Sequence, residues 1–124
     1  MTILRILPGH KPEIISIPHT LEAMQELVGG HIEALYPFDD PVAVVCNEEG
    51  KLLGMDMNRA LRHPGTNEVY DIICGPFFIC GLSDDDFDSL TEEQIEKYQK
   101  MFLYPETFQF PRVQKLIDSI SSYI

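Results

Sequence analysis

Val69-Tyr70-Asp71-Ile72-Ile73-Cys74-Gly75-Pro76-Phe77-Phe78-Ile79-Cys80-Gly81-Leu82 is the most apolar segment of the chain. Its uncharged part, Ile72 to Leu82, is roughly half the length of a membrane span and carries Gly75, Pro76 and Gly81, so it predicts a core strand rather than an anchor. Proline cannot donate to a sheet ladder, and Gly75-Pro76 therefore predicts a bulge or a break in its middle. Upstream, Ile3 to Leu7 and Glu13 to Ile17 flank the turn residues Pro8-Gly9-His10-Lys11-Pro12 and predict an opening hairpin. His31 to Tyr36 and Val42 to Cys46 read as strands joined by residues 37 to 41. Asn47-Glu48-Glu49-Gly50 then predicts a hairpin loop that returns the chain into a strand over Lys51 to Met57, where Leu53, Met55 and Met57 alternate with Gly54 and Asp56. A polar loop carrying Asn58, Arg59, Arg62 and His63-Pro64-Gly65 would follow.

Helices are expected at three places. Thr20 offers an N-cap hydroxyl, Leu21, Met24, Leu27 and Val28 share a helical face, and Gly29-Gly30 supplies a left-handed stop. Thr91 and Gln94 form a capping box, Leu90 and Ile95 are spaced as a staple, and Ile95, Tyr98, Met101 and Phe102 share a face up to Pro105. Pro111 opens a last helix, in which Val113, Leu116, Ile117, Ile120 and Ile124 repeat with helical period and must dock on the chain's own sheet or on a second subunit. Early hairpins and late helices predict an α+β fold: a mostly antiparallel sheet built from hairpins, with one short early helix and two C-terminal helices packed on it. No linker divides residues 1–124, and their number suits a single domain.

Twenty acidic against nine basic residues give a formal charge of -11. Such a molecule repels phosphate, which disfavours direct binding to nucleic acid or to an anionic membrane surface. Arg5 inside the first apolar stretch and Pro8-Gly9 after it leave no room for a signal peptide, and the expected location is the cytoplasm. Cys46, Cys74 and Cys80 form no C-x-x-C pair and read as buried free thiols. Asp84, Asp86 and Asp88 match the first places of a calcium loop, but Ser89 and Ile95 stand where its glycine and closing glutamate belong, so no metal is expected. The acidic run reads instead as a solvated loop leading into a helix N-terminus. Known nucleophile, zinc and phosphate-loop motifs are missing, so catalysis has little support and no cofactor is implied.

Charge is unevenly spread. Residues 84 to 96 hold seven acids and no base, whereas in residues 51 to 66 Lys51, Arg59 and Arg62 face only Asp56. This cationic island, with Asn58 as amide donor and acceptor, is the candidate site for a carboxylate or phosphate, with Tyr36 or Tyr70 nearby. Pairing of the arginines with the abundant acids is the alternative.

Val28-Gly29-Gly30-His31-Ile32-Glu33, Cys46-Asn47-Glu48-Glu49-Gly50-Lys51-Leu52, Met57-Asn58-Arg59-Ala60-Leu61 and Tyr70 to Phe77, with Ser89-Leu90-Thr91 and Tyr104-Pro105-Glu106, follow one another in a distinctive order. Over residues 3 to 108 this order resembles a family of small proteins of bacteria, phages and mobile elements known only as a domain of unknown function. Pro76 stands where members often carry a small residue or threonine. The resemblance implies a phage or mobile-element accessory role and no activity. Three functions stay open: an acidic, non-catalytic module, monomer or homodimer, that binds a protein partner; a binder of a small anionic molecule or nucleotide at Asn58, Arg59 and Arg62; and a DNA mimic.

Overall fold

The computed structural model describes residues 1–108. In chain order the elements are β1 (Thr2–Ile6), β2 (Glu13–Ser16), α1 (Leu21–Val28), β3 (Ile32–Leu35), β4 (Val42–Asn47), β5 (Met57–Arg62), β6 (Val69–Cys74), β7 (Phe77–Ser83), β8 (Asp86–Asp88) and α2 (Glu92–Met101). The apolar segment does break at Gly75-Pro76, and the break is where the chain changes sheets. β6 pairs with β5 in a two-stranded sheet, while β7 is the middle strand of a main sheet ordered β2-β1-β7-β4-β3, with β8 also on β7. Gly75 makes the crossing at φ 86°, a left-handed value that favours glycine, and a Cβ there would also oblige the Met55 side chain to shift.

Every pairing is antiparallel. β1 lies along Phe77–Ile79 and β8 along Gly81–Ser83, so β8 takes up the edge of β7 where β1 ends. Hydrogen bonds from Thr2 N–H to Ser89 Oγ (2.8 Å) and from Leu90 N–H to Thr2 O (2.9 Å) join them. All six residues of β4 are buried, because both faces of the main sheet are covered. On one face Val42, Val44, Phe77 and Ile79 meet Leu61 and Ile73 of the β5–β6 hairpin and Tyr98 and Phe102 at α2. On the other, Ala43, Val45, Phe78 and Cys80 meet Met24 and Val28 of α1. Burial of each large apolar side chain contributes about 1.5–3 kcal/mol. The described residues thus form an α+β fold, a mostly antiparallel sheet with two helices.

Both helices have the ends their sequences specify. The Ala23 N–H donates to Thr20 Oγ1 at 3.2 Å, and Gly29, at φ 80°, closes α1. At α2, Thr91 and Gln94 exchange both capping-box bonds, at 2.9 and 3.2 Å. Tyr98 and Phe102 are buried, Ile95 is partly buried, and Met101 is exposed. The helix expected from Pro111 lies outside the described residues.

Three expectations are corrected. Lys51 to Met57 is not a strand beside β4, whose two edges are taken by β3 and β7. The segment instead turns on itself through bonds such as Leu53 N–H to Glu49 O (2.9 Å) and Met55 N–H to Gly50 O (3.0 Å), with Gly54 at φ 68°, a backbone value foreign to strands. Asn58 to Arg62 is not a loop but strand β5. The acidic run is not simply a loop, since Asp84 and Asp85 form a two-residue hairpin turn and Asp86–Asp88 is β8.

Candidate functional site

Strand β5 begins with a bulge. Met57 stands opposite Cys74 and Arg59 opposite Ile73, which leaves Asn58 as an extra residue. Asn58 and Arg59 are each only 1% exposed. The Asn58 amide donates to Ile6 O and Gly75 O, both at 2.9 Å, and so ties the hairpin to β1 and to the crossing point. Arg59 uses its five N–H donors within the protein. Nη1 reaches Asn58 O (3.3 Å) and Asn58 Oδ1 (2.9 Å), Nε reaches Phe102 O (3.2 Å), and Nη2 reaches Phe102 O (3.0 Å) and His10 O (2.6 Å). These acceptors are dipoles and leave the charge in place. Burial lowers the Arg59 pKa and Glu106 opposes that, so a full cation stands in the wall of the site.

That wall bounds a cavity of about 530 Å³ between β5 and the segment after α2. Phe38, Leu61, Met101, Phe102 and Pro105 give it an apolar body, while Arg62, His63, Asn67, Tyr104 and Glu106 supply the polar groups. Arg62 Nη2 donates to Glu106 Oε1 at 2.8 Å, and Nη1 to Asn67 O at 3.4 Å. The other Glu106 oxygen accepts the Ala60 N–H. Among the described residues strand β5 has a strand neighbour on one side only, so this carboxylate satisfies a backbone donor that no described ladder serves.

The expected island is therefore divided. Arg59 and Arg62 line one cavity; Asn58 is packed behind it. Lys51 lines another, of about 350 Å³, with Glu33, Cys46, Glu48, Glu49, Asp71 and Cys74, and its ammonium pairs with Asp71, which raises its pKa. Tyr70 stacks on His63 with ring centroids 4.6 Å apart, at the rim of the first cavity. Tyr36 is elsewhere, beside Leu82 and the Asp84-Asp85 turn. Phe38, Phe102, Tyr104 and Glu106 were not expected at the site. In the sequence, Tyr104-Pro105-Glu106 signals only a helix stop, at Pro105.

The thiols offer no reactive centre. All three are free, and burial pushes Cys46 up to about 11 and Cys80 up to about 12; half-buried Cys74 is raised by the same cause. Among the described residues, no three His, Cys, Asp or Glu side chains are grouped to hold a metal ion, and no helix is long and apolar enough to cross a membrane. A protein-family model described as "Domain of unknown function (DUF3846)" matches residues 1–103, from β1 through α2. No curated protein and no solved structure matches the chain.

Proposed function

The chain belongs to the DUF3846 family of unknown function, and from that premise we propose that it is a non-catalytic binding protein whose β5 cavity takes a small anion with an aromatic or apolar body. The observation that carries this reading is the pair of guanidinium groups, Arg59 and Arg62, set against one carboxylate, Glu106, on a cavity of about 530 Å³ with apolar walls. Size and lining are those of a small-molecule site, in which a few polar groups orient a largely apolar ligand. The net charge of -11 does not forbid an anion there. At physiological salt, fields fade over about 8 Å, so an anion inside the cavity responds mainly to the two cations beside it.

The test is calorimetric titration with adenosine monophosphate and with benzoate. Saturable binding of either is expected, weakened roughly tenfold in Arg62→Ala, because one charge-assisted hydrogen bond is lost. Absence of saturable binding by both probes at millimolar concentration, in the natural protein and in Glu106→Ala alike, overturns the reading.

A second reading, an acidic module that docks a protein partner, draws on Leu52 and Leu53. They are 87% and 60% exposed, and Leu52 borders the cavity lined by Glu33, Glu48, Glu49 and Asp71. An apolar tip rimmed by acids suits a basic partner. Such a partner would lose affinity for a Leu52→Ser/Leu53→Ser variant, and equal capture by both proteins would dismiss this surface. An accessory role in a phage or mobile element rests on the motif resemblance alone, and a cytoplasmic location on the N-terminal residues Arg5 and Pro8-Gly9. DNA mimicry finds its support only in the total charge.

A further inference from the structure

We infer that Glu106 occupies the anion subsite of the β5 cavity as a built-in competitor, and that the ligand it imitates is a small aromatic carboxylate. The inference rests on the proposed binding function and specifies its ligand and its control. One Glu106 oxygen receives Arg62 Nη2 at 2.8 Å, and the other receives the Ala60 N–H, in a residue that is nearly inaccessible. A guanidinium and a backbone N–H, each meeting a different oxygen of one planar group, form the two-point clamp that a carboxylate satisfies. Ala60 N–H is a backbone donor that needs an acceptor, so removal of Glu106 leaves an empty, preformed receptor rather than a neutral surface.

The geometry also shows how displacement is open to the chain. Glu106 follows Tyr104 and Pro105 in an irregular segment after α2, and Tyr104 is 73% exposed. No helix or strand has to unfold for the side chain to leave. Phe38, Leu61 and Phe102 line the same cavity as Glu106 and offer apolar surface that an aromatic ring attached to a carboxylate would cover. Tethered this close, Glu106 acts at an effective concentration in the millimolar range, and free carboxylates bind the unaltered protein correspondingly weakly.

The experiment compares benzoate with phenyl phosphate on the full chain, using the natural protein, Glu106→Ala, Glu106→Gln and the double variant Glu106→Ala/Arg62→Ala. Urea unfolding of each variant checks that it is folded. Glu106→Ala is expected to bind benzoate roughly tenfold tighter than the natural protein, and the double variant to lose that gain. In Glu106→Ala the Ala60 amide proton resonance is expected to shift upfield and to return on saturation with benzoate. Glu106→Gln, which keeps an oxygen for Ala60 but no charge, should fall between. Benzoate binding that is equal in the natural protein and in Glu106→Ala overturns the competitor while leaving the binding function standing. Phenyl phosphate binding as tightly as benzoate overturns the carboxylate assignment. Failure of every form to bind either probe overturns both.

Discussion

Arg59 keeps its charge while every N–H of its fork is turned onto backbone carbonyls and the Asn58 amide oxygen. Only the bulge at Asn58, set by pairing with a strand more than ten residues away, turns both residues inward. Because its fork serves Phe102, His10 and Asn58 together, Arg59→Lys is expected to destabilise the fold by about 2–4 kcal/mol in urea unfolding, as three rotatable donors cannot replace five fixed ones. Titrating groups set the pH limits. Hydrogen bonds from Lys97 and Tyr98 hold the Asp40 carboxyl below its ordinary 3.8. A depressed carboxylate stabilises above its unfolded pKa, and that contribution fades as pH falls through the lower folded value. Unfolding followed between pH 5 and 2 should therefore show a smaller loss of stability in Asp40→Asn, which starts lower, than in the natural protein. The thiols work in the opposite direction. Cys46, raised from 9.0 to about 11 by burial, keeps its proton in the fold while the unfolded chain gives it up, so stability falls between those pH values and a Cys46→Ala variant should lose less there.

At the scale of elements, what the sequence showed well was local. Thr20 and Gly29 around α1, and Thr91 with Gln94 at α2, act within four residues of themselves, and the helices begin and end where those residues require. Lys51 to Met57 reads as a strand in the sequence because alternation of Leu53, Met55 and Met57 is a strand pattern that nothing nearby contradicts. Whether a strand can sit beside β4 depends on β3 and β7, and β7 lies some twenty residues further on. The β7–β8 turn gives an element-scale prediction. Asp84 and Asp85 take φ values of 47° and 64°, the mirror-image turn that asparagine followed by glycine adopts most readily. Asp84→Asn/Asp85→Gly should stabilise the protein by about 1 kcal/mol in thermal or urea unfolding, by relieving left-handed strain and removing two clustered charges.

For the molecule as a whole, composition yields a prediction about solubility and leaves the topology open. With a pI near 4.5 and no net charge there, the chain should show its solubility minimum close to that pH, measured by turbidity in low salt. Hairpins could be read from turn residues, but the order β2-β1-β7-β4-β3 could not, since it is fixed by contacts between distant segments that share only an apolar character. The candidate site suffers the same limit: Phe38, Arg59 and Glu106 meet because β5 and the segment after α2 are laid on the same face of the sheet. Placing a strand from residues 77–83 between β1 and β4 also has a bearing on biosynthesis. The first two hairpins leave the ribosome with their inner edges bare and cannot be joined until the central strand has emerged from the exit tunnel. At about 5–20 residues per second the nascent chain spends seconds in that state, and a chaperone that shields open strand edges should raise its yield.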